Sequence, residues 1–154
     1  MQTTTLEFTI THVPEQTFAY VMRRVEPEQI GEFVRGAIGR VELFAEARGG
    51  TIGPPMSVAS PPDEEGAIAL EVGFEVPAGT LPEAPVEVRT LPATVAIVHR
   101  HVGPYEGLDG TYYARLFSDA HDHGFTPVSA PRERYLGDDE ETGRPVTEIV
   151  WPIS

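Results

Sequence analysis

The residues with the clearest chemical potential lie in Arg132-Glu133-Arg134-Tyr135. Strand alternation would put Glu133 and Tyr135 on one face of an extended segment. A carboxylate among aromatic faces suits a delocalised organic cation: the rings attract the charge and the acid neutralises it. The plain alternative is an ordinary strand glutamate, solvated or paired with Arg132 or Arg134. Tyr105, Tyr20, Tyr112, Phe74 and Trp151 could line such a cleft, although aromatics at these spacings also serve as core. His99 and His101 share a strand face at a spacing that can hold a metal. His12, His121 and His123 are not placed to complete the site, so no metal is expected. The chain has no cysteine, no Gly-x-Ser-x-Gly, no phosphate loop and no dinucleotide fingerprint. Thiolate chemistry is therefore excluded, and no cofactor is expected.

These residues must be held by strands and two helices. Leu6 to Ile10 alternates and reads as a strand, Pro14-Glu15-Gln16 as a turn, and Phe18 to Val25 as a second strand. Glu26-Pro27-Glu28 opens a helix, with proline in the first turn and acids where the helix dipole favours them. Ile30, Phe33, Val34, Ala37, Ile38, Val41 and Phe44 form its apolar stripe, and Gly49-Gly50 ends it. Gly31, Gly36 and Gly39 inside it each cost up to about 1 kcal/mol against alanine. Close packing of the helix on a sheet is the expectation for them. Met56 to Ala59 and Ala67 to Val76 follow as strands, then a Pro/Gly-rich link from Pro77 to Pro85. Val86 to Leu91 and Thr94 to Val102 are strands, and Gly103-Pro104-Tyr105 starts a helix carrying Leu108, Tyr112, Leu116 and Ala120. Gly124 stops that helix, and Arg132 to Leu136 and Val146 to Ile153 complete the set.

The order repeats. Val13-Pro14 followed by Thr17 to Val25 resembles Leu91-Pro92 followed by Thr94 to Val102. The spacing is 77 residues once a one-residue slip after the proline is allowed. The same spacing carries Glu71-Val72-Gly73-Phe74 onto Glu148-Ile149-Val150-Trp151. The expected fold is α+β: tandem strand–helix–strand–strand units, about residues 6–76 and 86–153, in one domain spanning 1–154. Antiparallel sheets related by a pseudo-twofold would leave a central ligand cleft.

Composition narrows the function. A chain of 154 residues buries roughly 68–70% of its unfolded surface, enough for a real core. No apolar run approaches the length of a membrane span, and the N-terminus lacks the regions of a signal peptide. A cytoplasmic protein with no membrane partner is the expectation. Net charge is −13, and all eleven basic residues are arginine. Such a chain repels phosphate backbones, so no direct nucleic-acid binding is expected, while cationic ligands or a basic protein partner are favoured.

Three motifs in series then resemble a known family. They are His101-Val102-Gly103-Pro104-Tyr105-Glu106-Gly107-Leu108, Pro131-Arg132-Glu133-Arg134-Tyr135-Leu136, and Thr147-Glu148-Ile149 with Pro152-Ile153. Together with Glu71 to Pro77 they are similar to the DNA gyrase inhibitor-like (GyrI-like) family. That family is the effector-binding domain also found in AraC-type and MerR-type multidrug regulators. The resemblance implies a duplicated strand–helix–strand–strand fold and an aromatic cleft whose glutamate faces lipophilic cations, here Glu133. With the aromatics named above, the expected ligand-binding set is Glu133, Tyr135, Tyr105, Trp151, Tyr20, Phe74, Tyr112 and His101. The chain shows no helix-turn-helix pattern, so a stand-alone domain without its own DNA-reading half is expected. Three functions remain open. The first is sequestering or sensing lipophilic, cationic, drug-like molecules, as in resistance proteins. The second is hydrolysis of cyclopropane-bearing toxins by the same glutamate, and the third is inhibitory binding to gyrase or another protein.

Overall fold

Two prolines accompany an exchange of strands. In the computed structural model, which describes residues 7–154, β1 (Thr9–Val13) and β2 (Gln16–Val25) are separated only by Pro14 and Glu15. A tight hairpin would need positive φ at such a link, and neither residue adopts it readily. Instead β1 pairs with β6 (Thr94–Val102), while β5 (Glu87–Leu91), itself followed by Pro92-Ala93, pairs with β2. Each short strand thus joins the repeat that it does not adjoin in sequence. Leu6, the expected start of the first strand, lies outside the described residues.

The chain divides into two compact units. The first, Pro14–Ala93, holds β2, α1 (Ile30–Glu46), β3 (Ile52–Ala59), β4 (Ile68–Val76) and β5, with sheet order β3-β4-β2-β5. The second combines the N-terminal segment ending at Val13 with Thr94–Ser154. It holds β1, β6, α2 (Gly110–Asp122), β7 (Arg132–Asp138) and β8 (Pro145–Pro152), in the order β7-β8-β6-β1. Every one of these ladders is antiparallel, and each unit repeats strand–helix–strand–strand with one added edge strand. The fold is α+β, as the sequence pattern predicts. Among the described residues no helix is long and apolar enough to cross a membrane.

Register corrects the expected spacing of the repeat. Glu71 lies opposite Met22 on β2, and Glu148 lies opposite Arg100 on β6. If Glu71 and Glu148 correspond, so do Met22 and Arg100, which are 78 residues apart. The spacing of Pro14 to Pro92 therefore continues through the whole first strand, and no slip follows the proline. The one-residue change falls later, before β4 and β8. A slip of one residue would have moved every side chain of the strand to the other face.

In the first unit, Ala19, Val21 and Val25 of β2 and Leu70, Val72, Phe74 and Val76 of β4 meet Ala37, Val41, Phe44 and Ala45 of α1. Each large apolar side chain buried there contributes roughly 1.5–3 kcal/mol relative to exposure. Gly73 has no room for a side chain, since a Cβ would lie 1.8 Å from the Ala19 carbonyl oxygen. The helix glycines behave differently from expectation. A Cβ on Gly36 or Gly39 would meet nothing within 4 Å, and one on Gly31 only the end of Arg35. Close packing on a sheet is not their reason. At the end of α1, Gly49 and Gly50 take positive φ, and the Gly50 N–H donates to the Ala45 carbonyl at 2.8 Å.

The second helix begins later than Gly103-Pro104-Tyr105 suggests. Only a short 3-10 turn, Tyr105–Gly107, forms there. The Asp109 carboxylate accepts from the Tyr112 N–H at 3.0 Å and so caps a helix starting at Gly110. Leu116 and Ala120 of α2 pack on Ile97, Ile149 and Ile153, with Tyr112, Tyr113 and Trp151 at the margin.

Candidate functional site

The helix-facing side of the second unit's sheet carries two polar rows. Glu133 of β7 lies opposite Ile149 of β8, which lies opposite His99 of β6. Two residues along, Tyr135 lies opposite Thr147, which lies opposite His101. Strand alternation sends all six side chains to one face. Arg132 and Arg134 point to the other face, where Arg134 forms an ion pair with Glu148. Arg134 is therefore engaged elsewhere, and the hydrogen-bond partners of Glu133 are phenols.

The helix above these rows supplies one partner of Glu133 and β7 itself the other. The Tyr113 hydroxyl donates to Glu133 Oε2 at 2.5 Å, and the Tyr135 hydroxyl donates to Oε1 at 3.1 Å. Each carboxylate oxygen thus has its own phenol. Rings close around them: Tyr112 meets Tyr113 edge to face at 5.2 Å, and Tyr113 meets Trp151 at 5.7 Å between centroids. Phe117, one helical turn after Tyr113, also reaches Trp151, and Tyr105 stands edge-on to Tyr135 at 5.8 Å. Trp151 is fixed by its indole N–H, which donates to the Ser129 carbonyl at 2.8 Å. His99 Nδ1 shares a short hydrogen bond with the Tyr112 hydroxyl, and the His101 ring lies 5.6 Å from that of Tyr112.

The electrostatics follow from burial. Desolvation pushes the Glu133 carboxyl above its ordinary range, while the two phenol hydrogen bonds and the charge of His101 pull it back. The net shift is upward, so charge on this group is costly and a cation beside it would offset that cost. Tyr113 and Tyr112 are pushed up as well, by burial first and then by the neighbouring Glu133. Both phenols stay protonated, and Tyr113 donates to the carboxylate. Burial, helped by His101, lowers the His99 imidazole.

Thr147 is fully buried, and its hydroxyl has no hydrogen-bond partner among the described residues. An unpaired buried hydroxyl costs about 1–3 kcal/mol. The described residues contain no group of three His, Asp or Glu side chains able to hold a metal ion. His101 Nε2 is engaged with the Pro104 carbonyl oxygen at 3.1 Å.

Of the residues predicted from sequence, the second unit brings together Glu133, Tyr135, Tyr105, Tyr112, Trp151 and His101. Tyr20 and Phe74 belong to the first unit. Tyr20 stacks on Phe18 with centroids 5.1 Å apart, and Phe74 sits in the apolar core beneath α1. The residues that sequence reasoning missed are Tyr113, Phe117 and Thr147. A doubled tyrosine with a phenylalanine four residues on was the available signal for the first two.

Comparison with known proteins bears on the family and the fold. Residues 6–154 match the GyrI-like small molecule binding domain. No curated protein sequence is significantly similar. Among solved structures, the EcmrR C-terminal domain is 19% identical with a TM-score of 0.75, over 97% of this chain and 98% of that one. SAV2435 bound to tetraphenylphosphonium is 16% identical with a TM-score of 0.67, over 97% and 94%. A hydrolase from Listeria innocua is 14% identical with a TM-score of 0.62, over 97% and 93%. At such identities the structural likeness establishes the fold.

Proposed function

The chain belongs to the GyrI-like family of small-molecule-binding domains, and we propose that its second unit takes up lipophilic organic cations between Glu133 and the surrounding rings. One observation carries this reading. A desolvated carboxylate is held by two phenols inside a wall of aromatic side chains, with no arginine on its face of the strand. The rings offer cation–π attraction, and the acid supplies the opposite charge where water is scarce. The ligand of SAV2435, tetraphenylphosphonium, has this chemistry and supports the reading. The protein would sequester or sense such molecules.

A direct test is a titration of tetraphenylphosphonium followed by Trp151 fluorescence, since the chain has a single tryptophan. Triphenylphosphine oxide, neutral and similarly shaped, serves as the comparison. Micromolar binding of the cation, at least tenfold tighter than that of the oxide, is expected. Equal affinities would remove charge from the account.

A second reading rests on the raised carboxyl of Glu133, which suits a general base. A lone general base typically contributes about 10²- to 10⁴-fold, which suffices for a ring already strained. Glu133 would take a proton from water as the water oxygen bonds to a ring carbon and a strained C–C bond breaks, and would return that proton to the carbon released. Incubation with a cyclopropane-bearing alkylator should then give a product heavier by one water, absent with Glu133→Gln. Return of the compound unchanged leaves the binding function alone.

A further inference from the structure

The first unit has a ligand-sized space of its own, on the helix-facing side of its sheet. A cavity of about 450 Å³ is lined by Val21 and Arg23 of β2, by Gln29, and by Glu32, Phe33 and Arg40 of α1, among others. That volume is within the range of small-molecule sites. Its position is not arbitrary within the repeat. Val21 lies opposite Val72 and Arg23 opposite Leu70, just as His99 lies opposite Ile149 and His101 opposite Thr147. The two strand residues that border the aromatic site of the second unit therefore correspond to the two that border this cavity.

The chemistry of the lining is reversed. Arg23 and Arg40 have no ion-pair partner among the described residues, although the chain carries a net charge of −13. Gln29 accepts through Oε1 from the Glu26 N–H at 2.9 Å, which leaves its amide NH₂ as a donor. Phe33, Val21, Ala37 and Pro85 supply apolar surface. Gly36 lines the same space, and a Cβ there would meet nothing within 4 Å. Glycine inside a helix is unfavourable by roughly 1 kcal/mol against alanine, and here its effect is to keep the cavity open.

We propose that this cavity binds small aromatic monocarboxylates. A guanidinium matches the planar geometry of a carboxylate, and the ring of the ligand would lie against Phe33 and Val21. Glu32 in the lining and the acidity of the whole chain select against polyanions. Ligands of opposite charge would thus enter the two repeats, cations in the second and anions in the first.

Calorimetric titration of the full chain with 1-naphthoate, and with neutral 1-naphthamide as comparison, tests this. Naphthoate should bind at least tenfold more tightly than the amide. Arg23→Gln and Arg40→Gln should each weaken it by roughly tenfold, consistent with loss of a charged hydrogen bond. Gly36→Leu should abolish naphthoate binding by filling the space. Glu133→Gln should leave naphthoate affinity unchanged, which separates this site from that of the other unit. Absent naphthoate binding, parity with the amide, or unchanged affinity in both arginine variants would overturn the proposal. Should Gly36→Leu prove unstable, the two arginine variants decide it alone.

Discussion

Ser57, Val72 and Val21 form one row across the first unit's sheet, and Glu133, Ile149 and His99 form the corresponding row in the second. The next row contrasts Ala59, Leu70 and Arg23 with Tyr135, Thr147 and His101. One backbone plan thus carries two kinds of interior. In the first unit Val72 and Leu70 pack beneath α1 as plain core, and Ser57 is almost fully buried. In the second, β7 places a desolvated acid and a phenol beneath α2, and β8 a hydroxyl with no hydrogen-bond partner among the described residues. Polar groups in such positions are destabilising unless fully paired.

The largest test of this contrast moves the acid across it. Ser57→Glu should place a carboxylate in a row with no phenol donors at Ala59. An uncompensated buried charge costs about 3–5 kcal/mol, and urea unfolding at neutral pH should show a loss of that order. A loss below about 1 kcal/mol would mean that the first unit tolerates charge as the second does.

A smaller effect is expected from Tyr113→Phe. It removes one of two donors to Glu133, and hydrogen bonds to charged groups are worth about 1.5–3 kcal/mol. The loss should be largest above the carboxyl's raised pKa and fade in acid, where the neutral acid needs the donor less. A pH-independent loss would point to packing instead.

The smallest effect concerns Glu133→Gln and stability. Burial raises the folded-state carboxyl above the ordinary value of 4.5, so charging it opposes folding. That cost is absent below the unfolded pKa and grows as pH rises through the folded one. The variant should therefore melt a few degrees higher than wild type at pH 8, and the gap should close toward pH 4. A lower melting temperature at pH 8 would show that the charged form is favoured by the fold.

Much of the layout was legible because alternation and Gly/Pro punctuation are local signals. β6 falls on Thr94 to Val102 as read, and Glu133 and Tyr135 share a face as strand periodicity requires. What could not be read depended on partners distant in the chain. Pairing β1 with β6 spans more than 80 residues, and the Pro14-Glu15 link disfavours a tight hairpin with β2 without naming the distant partner. Thr147 looks like any strand threonine until its register beside Tyr135 and His101 is known. Tyr113 lies just off the stripe of Leu108, Tyr112, Leu116 and Ala120, and only the sheet's position shows that it reaches Glu133. Tyr20 and Phe74 are interior aromatics of the first unit, a placement that composition cannot give.

The central claim is that charge on Glu133 holds a cationic ligand in the second unit. Titration of rhodamine 6G into wild type and Glu133→Gln, at one pH near 8 and the same ionic strength, measures this directly. Loss of a partly buried carboxylate–cation contact worth about 1–3 kcal/mol corresponds to roughly 5- to 150-fold weaker binding. The account predicts micromolar binding by wild type and a drop within that range for the variant. Equal affinities of the two proteins for the dye would contradict it.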